Sequence, residues 1–149
     1  MTLPTQPPRS TPAIDSIERT LELAASPEQV WQALADPEGL AAWFPDEVEA
    51  LEPRPDGQGW LVWHNHGRYA IAIEAFEPMT RLVWRWARES DTPLGDGPTT
   101  TVEWVLEPGA DGGTTLHLTE SGFLTEEARE QNVGGWKHEL GELVAYLAG

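Results

Sequence analysis

"NVGGWKHELGELVAYL", residues 132–147, carries Val133, Trp136, Leu140, Leu143, Val144 and Leu147 at the spacing that lines one face of an α-helix. The last 25 residues share this periodicity, and an apolar stripe of that length must be buried against another element. Whatever lies upstream therefore has to supply a matching apolar surface. The same stretch holds Gly134, Gly135 and Gly141, each costing roughly 1 kcal/mol relative to alanine in a helix interior. Two uses fit them. The Gly134-Gly135 pair marks a hinge or a helix start, or the flank shared by Gly134, Gly141 and Ala145 lets another backbone come close.

The upstream surface is a sheet. Strand-like segments at about 46–52, 58–65, 68–77, 80–88, 99–107 and 113–120 are separated by turn chemistry in "PRPDGQG", "NHG", "EPMT", "DTPLGDGP" and "EPGADGG". Links this short favour an antiparallel meander. A further strand precedes them: in "IERTLELA" (17–24), Ile17, Arg19, Leu21 and Leu23 alternate with Glu18, Thr20 and Glu22. It runs into "SPEQVWQAL", where Ser26 caps a helix, Pro27 suits its first position and Gln29 completes a capping box. Asp36 and Pro37 repeat the device for "PEGLAAW", which Pro45 stops. The order is strand, two helices, six strands and a long helix. This is an α+β class, with the C-terminal helix lying across the sheet.

At 149 residues the chain fits one domain, read here as residues 14–149 behind a disordered Pro-rich tail at 1–13. The 25 acidic and 9 basic residues give a formal charge of −16. Such a chain repels phosphate backbones and anionic membranes, so neither nucleic acid nor a membrane is an expected partner. Cysteine is absent, which removes disulfides and thiol catalysis. No signal-peptide pattern and no run of about 18 apolar residues is present, so the expected location is the cytoplasm.

Four strings, in this order and spacing, carry a family resemblance: "SPEQVWQALADPEGLAAWF" (26–44), "EPMTRLVWRW" (77–86), "TTVEWVLEP" with "GTTLHLTESGF" (100–123), and "GGWKHELGELVAYL" (134–147). The chain resembles the START-related SRPBCC superfamily. Within it, the chain is similar to bacterial proteins related to the C-terminal domain of the activator of the heat-shock protein 90 ATPase. The resemblance covers nearly everything from residue 14 onward. It implies a helix-grip fold, a curved antiparallel sheet of β-α-α-β6-α order wrapped around the long helix, with a cavity between them that often admits an apolar small molecule.

Eight tryptophans are the main compositional excess. Trp84 and Trp86 share a strand face with Leu82, as Trp104 does with Val102 and Leu106, and both faces point under Trp136 if they are concave. Large rigid rings with one N–H suit either a dense core or an apolar pocket with a polar handle. The candidate cavity-lining residues are therefore Trp43, Trp63, Trp84, Trp86, Trp104, Phe123, Trp136 and Leu140. His117 and Glu120 fall on opposite faces of one strand, so one of them looks inward; both are candidate polar cavity groups. Arg68, Arg81, Arg85, Glu74 and Glu103 read as solvated cross-strand pairs. His64 and His66 have the two-residue spacing of a metal pair but sit in a turn-like "HNHG", and neither a metal site nor any cofactor is expected. The loop "RESDTPLGDGPT" reads as a surface connection able to cover a cavity mouth.

No nucleophile elbow, phosphate loop or dinucleotide fingerprint is present. The leading expectation is non-enzymatic binding of a hydrophobic or aromatic small molecule between sheet and helix. The alternatives are a co-chaperone-like interaction module, implied by the resemblance, and a cyclase or hydrolase needing inward-facing proton-handling groups. Exposed tryptophans would also suit a homodimer or another protein partner.

Overall fold

The computed structural model describes residues 16–149; the expected Pro-rich tail lies outside them. The elements are β1 (Ser16–Leu23), α1 (Pro27–Ala35), α2 (Pro37–Ala41), β2 (Glu47–Glu49), β3 (Gln58–Trp63), β4 (Gly67–Glu77), β5 (Arg81–Ala87), β6 (Thr99–Pro108), β7 (Thr114–Ser121) and α3 (Glu126–Ala148). All seven strands form one curved antiparallel sheet in the order β1-β7-β6-β5-β4-β3-β2. The meander runs from β2 to β7, and β1 closes on the far side of β7. The α1–α2 pair joins the two edges. This is the α+β helix-grip arrangement.

Local chemistry places the helices as their sequences indicate. The Ser26 hydroxyl accepts the Gln29 N–H at 3.2 Å while the Gln29 side chain accepts the Ser26 N–H at 2.9 Å. Asp36 caps α2 by accepting the Gly39 N–H at 3.1 Å. Thr125 caps α3 through the Ala128 N–H at 3.0 Å.

Period-2 alternation sorts the sheet into two faces. On β7, Thr114, Leu116, Leu118 and Glu120 point into the core; on β6, Thr100, Val102, Trp104 and Leu106 do the same. The outer face carries the ion pairs. Arg81 donates to Glu103 at 2.7 Å and to Glu77 at 3.1 Å, and Arg85 pairs with Glu74 at 3.1 Å. Arg68 lies 4.0 Å above the Trp60 ring and pairs with Glu49. These half-exposed pairs add little stability each.

Two expectations about α3 need correction. Trp136, Leu140 and Leu143 are buried, with Val133 and Leu147 packed beside them, but Val144 is 44 % exposed. The buried stripe runs through 133, 136, 140, 143 and 147, and Val144 falls at its edge, about 60° from its centre. The glycines mark neither the start of the helix, which begins at Glu126, nor a close approach. A Cβ added at Gly134, Gly135 or Gly141 would meet nothing within 4 Å. A glycine that does serve a close approach is Gly39, where a Cβ would stand 2.0 Å from the Gln32 carbonyl oxygen.

Candidate functional site

The alternation that buries Leu116 and Leu118 also drives Glu120 into the interior, where its exposure is 0 %. A carboxylate taken out of water is costly unless its oxygens are fully hydrogen-bonded. Here four donors converge on it. Oε1 accepts from Trp136 Nε1 at 2.7 Å and Asn132 Nδ2 at 3.0 Å, both on α3. Oε2 accepts from Trp86 Nε1 on β5 at 2.9 Å and Thr100 Oγ1 on β6 at 2.5 Å. The Trp86 N–H is shared with Thr100 Oγ1 at 2.9 Å, so the threonine accepts on a lone pair and donates its proton onward. One side chain thus ties the covering helix to three strands.

Around this carboxylate the aromatic residues form a continuous cluster with Phe44 at its hub. Phe44 stacks on Trp136 (centroids 5.6 Å, 8° apart) and on Trp86 (5.7 Å, 28°), and meets Trp63 edge-on at 5.1 Å. Trp104 is edge-on to Trp43 and Trp136. Trp43 donates to the Ala33 carbonyl at 2.7 Å and Trp63 to the Phe44 carbonyl at 3.2 Å. Among the described residues, the buried indole nitrogens of Trp84 and Trp104 have no hydrogen-bond partner. The two indoles are surrounded by other rings, with centroids at 5.6–6.3 Å.

Beside this packed interior is an open cleft of about 480 Å³, between α3 and the end of the sheet formed by the β3–β4 turn and the end of β5. Its aromatic walls are Trp63, Tyr69 and Trp86, and its polar groups include Asp46, His66, Asn132 and Glu139. A smaller hollow of about 150 Å³ shares Trp63, Trp86, Asn132 and Glu139 and reaches Phe44 and Trp136. Burial pushes the Glu139 carboxyl up to about 7; His138 opposes this, and the nearby Glu142 and Asp46 charges add to it.

The candidate lining residues therefore divide. Trp63 and Trp86 line the cleft and Trp136 the adjoining hollow. Trp43, Trp84, Trp104 and Leu140 are buried in the packed interior and do not line the cleft. Phe123 is also buried, at a separate hollow beyond Arg88, whose guanidinium lies 5.1 Å from its ring. Of the polar pair, Glu120 looks inward. His117 shares phase with Thr115 and Thr119, so it sits on the outer face, hydrogen-bonded to Thr20 at 3.1 Å and Glu107 at 3.0 Å.

Of the loop at 88–99, only Arg88 lines the cleft. Pro93 and Leu94 lie beside Trp60 and Ala70, which face outward. His64, Asn65 and His66 form the β3–β4 turn, and His64 is exposed and hydrogen-bonded to Glu47 at 2.7 Å. That bond, with the Asp46 charge, raises the His64 pKa. Among the described residues no three histidine, aspartate or glutamate side chains converge as a metal ion would require. No helix among them is long and apolar enough to cross a membrane.

Sequence reasoning missed Phe44, Asn132 and Glu139. A signal existed for the last two. Asn132, Trp136 and Glu139 stand at i, i+4 and i+7, so they share the helix face on which Trp136 was expected to meet the sheet.

A seven-stranded antiparallel sheet gripping one long helix, with an aromatic interior and a lateral cleft, defines a helix-grip protein of the SRPBCC type. The family described as Activator of Hsp90 ATPase homolog 1-like protein matches residues 24–148, and the chain belongs to it.

Among solved structures, DynU16 of the dynemicin biosynthetic locus is 28% identical, with a TM-score of 0.76 over 90% of this chain. This chain spans 47% of the DynU16 chain, about half its length. CalU16 from Micromonospora echinospora is 26% identical, with a TM-score of 0.70 over 89% of this chain and 75% of its own. The Aha1 dimer from Colwellia psychrerythraea, at 21% identity and a TM-score of 0.71, covers 89% of this chain and 95% of its own, and shares the fold. No curated protein matches the chain.

Proposed function

We propose that this protein binds an apolar, aromatic small molecule in the cleft beside α3 and does not transform it. The observation that carries this is the cleft itself. Its volume of about 480 Å³ falls in the usual range for small-molecule sites, and its lining joins the rings of Trp63, Tyr69 and Trp86 to polar groups able to orient a ligand. The strand-borne polar groups singled out in the sequence are not free to handle protons in the cleft. His117 and Arg68 stand on the outer face, and Glu120 is saturated by four donors. The place of DynU16 in a biosynthetic locus supports a small-molecule ligand.

The test is a titration with the neutral fluorophore N-phenyl-1-naphthylamine, following its emission and the quenching of protein tryptophan. Saturable one-to-one binding is expected. Trp63→Ala, which removes a half-exposed wall of the cleft, should weaken it about tenfold or more, the scale of one lost aromatic contact. Absence of saturable binding, or affinity indifferent to Trp63→Ala, refutes the proposal.

The family description favours a second reading, an interaction module acting on a heat-shock protein 90-type ATPase. Faster ATP turnover of that chaperone in excess protein would support it, and unchanged turnover would remove it.

A further inference from the structure

We infer that the cleft selects an aromatic ligand bearing a hydroxyl or N–H donor, which it receives on the side-chain carbonyl of Asn132. The inference rests on the binding function proposed above and names the ligand class within it.

The orientation of the Asn132 amide follows from its neighbour. The amide group facing Glu120 Oε1 at 3.0 Å is the NH₂, which donates to that oxygen. Oε1 also takes the Trp136 N–H, and both contacts of Oε2 are donors, so nothing in the network would reward turning the carbonyl toward it. Glu120 is therefore a positioning residue, and the Asn132 Oδ1 is directed away from it.

That oxygen has no partner among the described residues. It is also not among the buried polar atoms left without one, which are only the Trp84 and Trp104 indole nitrogens. It is an open acceptor on a residue that lines both the cleft and the adjoining hollow. Next to it in both spaces is the Trp86 ring, and the Trp86 N–H is spent on Glu120 and Thr100. At this place the wall offers an aromatic surface and a carbonyl, but no indole N–H. A ring lying against Trp86 with a hydroxyl at its edge meets both demands. The same ring with an ether oxygen in that position brings two acceptors together and forfeits the bond.

Calorimetric titration with 2-naphthol and 2-methoxynaphthalene tests this, because the two share a ring system and differ in the donor. The wild-type protein should bind 2-naphthol about fivefold to tenfold more tightly, the range of one neutral hydrogen bond. Asn132→Ala, with its fold verified by near-ultraviolet circular dichroism, should bring the two affinities together by weakening 2-naphthol alone. Equal wild-type affinities, or a preference that survives Asn132→Ala, overturn the selection by Asn132 while leaving the binding function intact. Failure of both naphthalenes and of N-phenyl-1-naphthylamine to bind overturns the two together.

Discussion

Trp136 on α3 donates its indole N–H to Glu120 on β7 at 2.7 Å, across 16 residues of chain, and this bond anchors the covering helix to the sheet. Asn132 makes a second tie to the same oxygen. Glu120→Ala strands the Trp136 indole donor and the Thr100 hydroxyl in the interior and takes the acceptor from the half-buried Asn132 amide, while the Trp86 N–H keeps Thr100 Oγ1, at roughly 1–3 kcal/mol per unsatisfied group before relaxation. A loss of about 4 kcal/mol in urea unfolding is expected. Glu120→Gln should cost less, about 1–2 kcal/mol. Its oxygen can keep facing Trp136 and Asn132, while its NH₂ replaces the acceptor of Trp86 and faces the Thr100 hydroxyl, which can turn to accept it and still hold the Trp86 N–H. Equal losses in the two variants would show that the hydrogen bonds contribute little beyond side-chain volume.

Gly39 makes a different kind of contact, backbone against backbone. A Cβ there would sit 2.0 Å from the Gln32 carbonyl oxygen and 3.2 Å from the Ala33 Cα, and neither belongs to a side chain that could swing aside. Gly39→Ala must part α1 from α2, and about 2 kcal/mol or more of destabilisation is expected. Differential scanning calorimetry would register it as a lowered Tm. An unchanged Tm would mean that the two helices are not held at this spacing.

The layers were legible because each element repeats its own signal. The strict alternation of Leu116, Leu118 and Glu120 places all three on one face, and the capping box at Ser26 and Gln29 marks a helix start within a few residues. The candidate site was legible only in part, since its parts come from segments far apart in sequence. Local pattern puts Glu120 inward but does not say that Trp86, Thr100, Asn132 and Trp136 all meet it. Tryptophan spacing likewise does not separate Trp84, sealed in the interior, from Trp86, which reaches the cleft from the same strand face. His117 was left open because a strand's outer face is read only from its neighbours' polarity, and Thr115 and Thr119 are weak indicators.

The glycines of α3 were misread because a helix interior is where glycine is least expected without a steric reason. Gly134 and Gly141 are exposed, and a Cβ at either meets open space. Gly134→Ala and Gly141→Ala should each stabilise the protein by about 0.5–1 kcal/mol through helix propensity and a less flexible unfolded chain. The sites lie two turns apart, so the double variant should show the sum. Destabilisation by either would reveal a contact on that face which the isolated chain does not have.

Glu139 gives the protein an inverse pH dependence at the cleft. Its carboxyl is pushed from the ordinary 4.5 up to about 7, first by burial and then by Glu142 and Asp46, with His138 opposing. Between those values the folded state holds a proton that the unfolded chain releases, so stability falls as pH rises from about 4.5 through 7. The side chain is half-exposed, and solvent screening reduces the full conversion of the shift to about 1 kcal/mol. Glu139→Gln removes the charge without changing the shape. Urea unfolding should therefore find the variant about 1 kcal/mol more stable than wild type at pH 8 and nearly equal to it at pH 5. An equal difference at both pH values would place the effect in packing and not in the ionisation of this carboxylate.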